Sequence, residues 1–257
     1  MSYFKDIWSR RSLILTFAIN DLKIRYRNSV LGFFWSVLEP LLMFSVLYVV
    51  FTQLFKNDIP NYGLYLLLGL VMWGMFSRAT NIATGSIVGK GGIVTKIYFP
   101  RAILPISSCI TAFLMMSFEF TVFFAFLIAV QFIPPITILF LPILLILEFI
   151  LALALAFPLS VINVYLRDVQ YIWGVIVHAG FFITPIFYLP EIWPENIRQI
   201  LFLNPMAHLI DMGHNVALYN KLPTLEGMMY TVIVTFVLLG IGYAIFRKYE
   251  NGVAQEL

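Results

Sequence analysis

The chain is dominated by apolar stretches of roughly twenty-five residues, each long enough to cross a hydrocarbon layer of ~30 Å. The segments joining them divide the basic residues unevenly. Of sixteen Lys and Arg residues, twelve fall where they would share one face of a membrane: six within 3–28, three within 89–102, one within 163–168 and two near the carboxyl end. The opposite loops hold three, Lys56, Arg198 and Lys221, and Arg78 lies inside a stretch. Short loops rich in Lys and Arg remain in the cytoplasm, so the pattern predicts two cytoplasmic termini and an even number of spans.

With 61% hydrophobic and 11% charged residues, against about 25% charged in soluble domains, the chain has too little polar surface to coat a soluble particle. The expected fold is all-α: a polytopic membrane protein forming one domain over residues 1–257. The net charge of +3 is polarised across the membrane, which argues against a nucleic-acid-binding face. The single cysteine, Cys109, rules out an intrachain disulfide and reads as a small apolar residue inside a helix. Arg10-Arg11 before an apolar run resembles a twin-arginine signal only superficially. Asn20-Asp21 interrupts the run and no small-residue cleavage site follows, so no cleavable signal is expected.

Residues 3–28 predict an amphipathic helix lying along the membrane surface. Phe4, Ile7, Trp8, Leu15, Ala18, Ile19, Leu22 and Tyr26 recur at helical spacing beside six basic residues. Physics alone leaves two roles open, a membrane anchor or a docking platform for a cytoplasmic partner. Six spans are predicted, at about 30–55, 63–88, 103–131, 137–162, 169–188 and 226–246. The connection 189–225 is too long for a hairpin loop and too apolar for a solvated one. Pro194-Glu195 and Asn204-Pro205 read as helix starts. They predict two short helices, 194–203 and 205–219, forming an outer re-entrant hairpin shielded by protein or a water-filled cavity.

Few residues suggest chemistry. His208, Asp211 and His214 follow one another at spacing three, which spreads the outer pair by ~120° around a helix. That is too wide to converge on one metal ion, so no metal site is predicted and the three read as a polar face wetting an outer vestibule. His178 reads as packed or pore-lining. Gly85, Gly89, Lys90, Gly91 and Gly92 do not match a phosphate loop: the spacing is one short and Gly follows the Lys. No other segment suits ATP, so a nucleotide-driven process would need a second subunit.

Arg78, Glu119 and Glu148 lie deep in spans, where each costs ~2.5–3.5 kcal/mol on insertion scales and must face protein or water. Depth counted at ~1.5 Å per residue matches Arg78 with Glu39 and predicts an ion pair between the first two spans. Glu119 and Glu148, at depths comparable to each other, would share a proton or bond hydroxyls, with proton coupling as the functional alternative. The aromatic residues Tyr48, Phe51, Phe55, Tyr62, Tyr65, Trp73 and Phe76 read either as interfacial belts or as a conduit whose ring faces carry the C–H faces of pyranose sugars.

Several segments together resemble a known family. Asp21-Leu22-Lys23-Ile24-Arg25-Tyr26-Arg27-Asn28-Ser29-Val30-Leu31-Gly32, running into Trp35 and Leu38-Glu39-Pro40-Leu41, resembles the amino-terminal signature of type-2 ABC exporter permeases, and more narrowly of the branch serving O-antigen, teichoic acid and capsule. Ile97-Tyr98-Phe99-Pro100-Arg101-Ala102-Ile103-Leu104-Pro105 is similar to that branch's first cytoplasmic loop, and Asn163-Val164-Tyr165-Leu166-Arg167-Asp168-Val169 to its second. Thr184-Pro185-Ile186-Phe187-Tyr188, Pro194-Glu195 and Asn204-Pro205-Met206-Ala207 resemble its outer re-entrant region.

The resemblance implies a homodimer in a bacterial inner membrane, with a pore at its interface. It also implies two cytoplasmic ABC ATPase subunits that bind the ATP and Mg, the chain itself holding no cofactor and being no enzyme. It settles the amino-terminal helix as a docking platform and implies ATPase contacts by Asp21, Lys23, Arg25, Arg27, Lys96, Tyr98, Phe99, Pro100 and Arg101. The implied cargo is a glycan or glycerol-phosphate polymer on a polyprenyl diphosphate carrier, as in lipopolysaccharide biosynthesis. Arg25, Arg27, Lys96 and Arg101 would receive its diphosphate, or would simply reflect the positive-inside bias. Three rivals stay open: an exporter of small molecules from the same superfamily, an integral-membrane enzyme acting on lipid-linked sugars through His208 and Asp211, and a structural assembly factor.

Overall fold

Helix ends fall where the chain supplies caps and breakers. The Asn204 side chain accepts a hydrogen bond from the Met206 amide at 3.0 Å, and Pro205 opens the helix behind it. The Thr224 hydroxyl accepts from the Gly227 amide at 3.3 Å in the same way. Asn61 and Asn220 take left-handed backbone angles in the turns between helices, a conformation asparagine tolerates better than most residues.

The computed structural model describes residues 3–25, 27, 29, 31–53 and 59–257, apart from the side chains of Phe4, Phe33 and Ala254, and contains no strand among them. Tyr26, Phe55 and Lys56, which carried part of the sequence reading, lie outside the described residues. The amino-terminal helix is divided at Arg10 into α1 (Tyr3–Ser9) and α2 (Arg11–Arg25). Next come α3 (Trp35–Gln53), α4 (Tyr62–Gly89), the single turn α5 (Gly91–Val94) and α6 (Ile103–Ala129). A 3-10 segment, Ile136–Phe140, leads into α7 (Leu141–Tyr165), and α8 (Val169–Ile183) follows. The remaining helices are α9 (Glu195–Leu201), α10 (Pro205–Leu218), α11 (Leu225–Tyr249) and α12 (Val253–Glu256).

Five of these are long and apolar enough to cross a membrane: α3, α4, α6, α7 with its leading 3-10 segment, and α11. The fifth predicted span, 169–188, is the exception. α8 has 15 residues, ~22 Å at 1.5 Å per residue, because Pro185 cannot donate a backbone hydrogen bond and the chain turns at Thr184.

α4 is the centre of the bundle. It packs against α3, α6, α7, α8 and α10, and its side chains are buried on almost every face. α3 and α8 lie on its flank and keep most of their own apolar surface uncovered, including Leu42, Met43 and Val46 on α3 and Ile172, Val175 and Ile176 on α8. A second core gathers at the end that carries both termini, where Ile14, Phe99, Phe157, Phe246 and Val253 meet. Without water to bond them, buried polar groups must find partners inside the protein. The Thr111 hydroxyl donates to the Ala18 carbonyl at 3.2 Å, fastening α2 to α6. The Asn163 amide donates to the Thr84 carbonyl at 3.0 Å, fastening α7 to α4.

Small residues set the closest approach of α11 and α7, as at interfaces between membrane helices generally. A Cβ at Gly242 would stand 2.1 Å from the Ala154 carbonyl oxygen, which is backbone and cannot step aside. Gly242→Ala is therefore expected to force the two helices apart and to destabilise the protein by about 1–3 kcal/mol, read as a lowered unfolding midpoint in detergent. The same change at Gly240, where a Cβ meets nothing within 4 Å, is expected to leave the midpoint unchanged.

Candidate functional site

The intramembrane charge pair differs from the sequence expectation. The Arg78 Nη2 donates to Glu119 Oε2 at 2.6 Å, and Glu39 forms no ion pair among the described residues. The depth count fails because side chains are not level with their own Cα atoms. In a helix the Cα–Cβ bond tilts toward the amino terminus. α4 descends toward the termini-bearing end, so Arg78 reaches away from that end and its guanidinium lies over Gly74, where a Cβ would crowd it at 3.1 Å. α6 ascends, so Glu119 reaches back. A Cα offset of about 8 Å, ~16 Å for Arg78 against ~24 Å for Glu119 at 1.5 Å per residue, closes between two converging side chains. Glu39, on ascending α3, tilts away from Arg78. The expected pairing of Glu119 with Glu148 is likewise replaced by Arg78: Glu148 is fully buried, near the Phe76 backbone and within reach of the Arg78 charge.

Arg78 and Glu39 do share a cavity. It has a volume of about 380 Å³, opens between α3, α4 and α8, and is bordered by Glu39, Trp73, Ser77, Arg78, Asn81 and His178 among others. Gly180 on α8 admits the Trp73 ring, since a Cβ there would lie 2.9 Å from the indole edge.

Most of the residues of the predicted aromatic conduit face the protein's own core. Tyr62, Tyr65 and Phe76 are buried there, and Trp73, though largely covered, borders the cavity. Tyr65 donates its hydroxyl to the Tyr188 carbonyl at 2.7 Å, with the Pro185 carbonyl at 3.2 Å, and Tyr62 donates to the Phe187 carbonyl at 3.2 Å. These phenols clamp the turn 184–188 that ends α8. Phe51 packs on Phe187 with ring centroids 4.7 Å apart. Tyr48 alone of the described set is exposed, stacked against Phe44. Phe55 lies outside the described residues.

At the end opposite the termini, His208, Asp211 and Asn215 on α10, with Tyr219 just past its end, border a second cavity of about 430 Å³ together with Glu191 and Lys221. His214 also borders this cavity but is itself buried. Its ring stacks on Tyr65 at 3.6 Å between centroids and its Nε2 lies 2.9 Å from the Tyr65 carbonyl. His208 packs between the Phe202 and Tyr230 rings. The three residues do not converge, and no His, Cys, Asp or Glu group suited to a metal exists among the described residues. Burial, reinforced by the charge of Glu191, raises the Asp211 carboxyl to about 6, against the opposing pull of Lys221 and Asn215.

The predicted docking residues divide into two sets at the termini-bearing end. Lys23, Arg25, Arg27 and Lys96 are exposed, as is Tyr98, at 90%. Phe99 and Pro100 are buried and hold the loop to the core, so they offer no contact surface. Asp21 is bonded internally to Lys90 at 2.8 Å, and Arg101 donates to the Glu250 carbonyl. Alternation within a tight loop explains the division: neighbours in Ile97-Tyr98-Phe99-Pro100 cannot all face outward. A feature that sequence reasoning missed is the carboxyl-terminal clasp. Tyr3 donates its hydroxyl to Glu250 at 2.5 Å while the Arg247 guanidinium lies 3.8 Å from the Tyr3 ring centroid. Tyr3 and Glu250 are 247 residues apart, and no local pattern announces the contact.

Comparison with known proteins places this architecture. The sequence model of the family described as ABC-2 type transporter matches residues 12–218. The chain is 30% identical to the O-antigen export system permease protein RfbA of Klebsiella pneumoniae over 246 residues, 95% of either chain. It is 29% identical to the protein of the same name from Myxococcus xanthus over 255 residues, 98% of either chain. Likeness to the polysialic acid transport protein KpsM of Escherichia coli is 21% over 242 residues, 91% of this chain and 92% of that one.

Two outcomes follow from the geometry. Arg78→Met leaves Glu119 buried without its counter-charge and is expected to cost about 3–5 kcal/mol in unfolding experiments. Adding Glu119→Gln is expected to restore much of that loss, whereas adding Glu39→Gln is not. Asp211, titrating near 6 in the folded protein and near 4 when unfolded, binds its proton more tightly when folded. Its contribution to stability is therefore greatest at low pH and declines as pH rises from about 4 to 6. Asp211→Asn is expected to gain stability relative to the parent across that window and to hold a constant advantage above it, measured by thermal unfolding at a series of pH values.

Proposed function

The chain belongs to the ABC-2 type transporter family, and from that premise we propose that it is the membrane subunit of an ATP-driven exporter carrying lipid-linked polysaccharide of the O-antigen kind across a bacterial inner membrane. The observation that carries the reading is the end-to-end likeness to O-antigen export permeases, 95–98% of both chains. Two copies would face one another across the uncovered flanks of α3 and α8 and leave a passage between them. α8 with the turn 184–188 would complete a sixth span, and α9 with α10 would form the outer re-entrant hairpin. Both termini would then be cytoplasmic, in keeping with the basic residues gathered there.

The engine would be a pair of ABC ATPase subunits that bind the ATP and Mg. Their docking surface is best supplied by α1, α2 and the loop after α5, where Ile97 and Tyr98 project from a scaffold fixed by Phe99, Lys90–Asp21 and the Arg101 hydrogen bond to the Glu250 carbonyl. An apolar pair exposed on a braced loop suits a groove in a partner protein. The basic Lys23, Arg25, Arg27 and Lys96 would lie near the diphosphate of a polyprenyl carrier.

Deletion of the gene is expected to strip the cell surface of its glycan and to strand lipid-linked polymer on the inner leaflet. An unchanged surface would refute the reading. Within the complex, Tyr98→Ala is expected to abolish capture of the ATPase while leaving the unfolding midpoint of the permease intact. Phe99→Ala is expected to lower that midpoint, by about 3–5 kcal/mol of stability.

A further inference from the structure

Resting on the export reading, we propose that the cavity between α3, α4 and α8 seats one uncharged sugar ring of the polymer, and that its charges select neutral repeat units over acidic ones. At about 380 Å³ it falls within the range of small-molecule sites, ~300–1,000 Å³. Its lining combines an apolar ring, Trp73, with groups able to bond hydroxyls: Ser77, Asn81, Glu39 and Arg78. A pyranose meets such a set with a C–H face on the indole and hydroxyls on the rim.

The selection follows from a count of charges. Among the described lining residues Arg78 is the sole Lys or Arg, and its Nη2 is committed to Glu119 at 2.6 Å. Glu39 is exposed to the cavity and has no ion pair among the described residues. The cavity therefore presents a neutralised cation and an unneutralised carboxylate. A neutral sugar accepts from the remaining guanidinium hydrogens and donates to Glu39. A uronate, sialate or phosphodiester would have to take Arg78 from Glu119 and pass Glu39 in a medium of low dielectric, where like charges repel more strongly than in water.

Gly174 provides the test. It borders the cavity, and a Cβ there meets nothing within 4 Å, so Gly174→Cys places a thiol in open space. The native Cys109 is fully buried, and Cys109→Ser gives a silent background. In membranes containing the permease with its ATPase, the thiol is titrated with three methanethiosulfonates bearing a neutral hydroxyethyl, an anionic sulfonatoethyl or a cationic trimethylammonioethyl group. Rates are normalised to those with a free thiol. The anionic reagent is expected to react at least ~10-fold more slowly than the neutral one, and Glu39→Gln is expected to close most of that gap. An anionic rate equal to or above the neutral one overturns the selection. Membranes loaded with lipid-linked polymer should protect the thiol from the neutral reagent, relative to membranes of a strain that makes no polymer. Equal labelling in the two overturns the seat. Surface glycan after gene deletion reports on the export reading separately, whatever these rates show.

Discussion

A guanidinium held at mid-bilayer depth by one carboxylate constrains the rest of the molecule. Neither Arg78 nor Glu119 could remain charged alone in hydrocarbon at tolerable cost, so α4 and α6 must stay in register with their side chains converging. The 2.6 Å contact fixes that register, and the packing around it follows. Gly74 leaves room for the guanidinium and Gly180 admits Trp73, so α8 can approach α4 closely enough to enclose a cavity without filling it. α4 is then enveloped by five other helices, and the two that remain largely bare, α3 and α8, border that same cavity.

The two ends of the bundle use polar groups in opposite ways. Away from the termini, tyrosine hydroxyls satisfy the carbonyls of a broken helix: Tyr62 and Tyr65 close the turn after α8, where Pro185 leaves the backbone without its regular ladder. At the termini, ionic and aromatic contacts join segments remote in sequence. Lys90–Asp21 and Tyr3–Glu250 brace the amino-terminal helices against the ends of α4 and α11. Tyr98 therefore projects from a braced platform.

The sequence was most informative where the bilayer sets the terms. The spans of α4, α6, α7 and α11 follow from apolar length, and α10 and α11 begin at the caps Asn204 and Thr224. The amino-terminal helix was legible as amphipathic, although its division at Arg10 was not. Pairing was harder to read. Cα depth alone matches Arg78 to Glu39, whereas the direction of the Cα–Cβ bond on antiparallel helices, deducible from the same topology, points it toward Glu119. The aromatic residues of α4 were open to a conduit reading because composition does not say which face of a central helix is covered by its neighbours. Once α4 is surrounded, Tyr62, Tyr65 and Phe76 have no outward face left. The clasp of Tyr3 on Glu250 joins the two ends of the chain and leaves no periodic trace.

The account depends on Arg78 being neutralised by Glu119, so that the cavity beside it carries the uncompensated charge of Glu39. Reciprocal charge exchange tests this directly, with surface glycan as the readout. Arg78→Glu alone should abolish export, and Arg78→Glu combined with Glu119→Arg should restore it. Restoration by Arg78→Glu with Glu39→Arg instead, and not by the Glu119 exchange, would contradict the account.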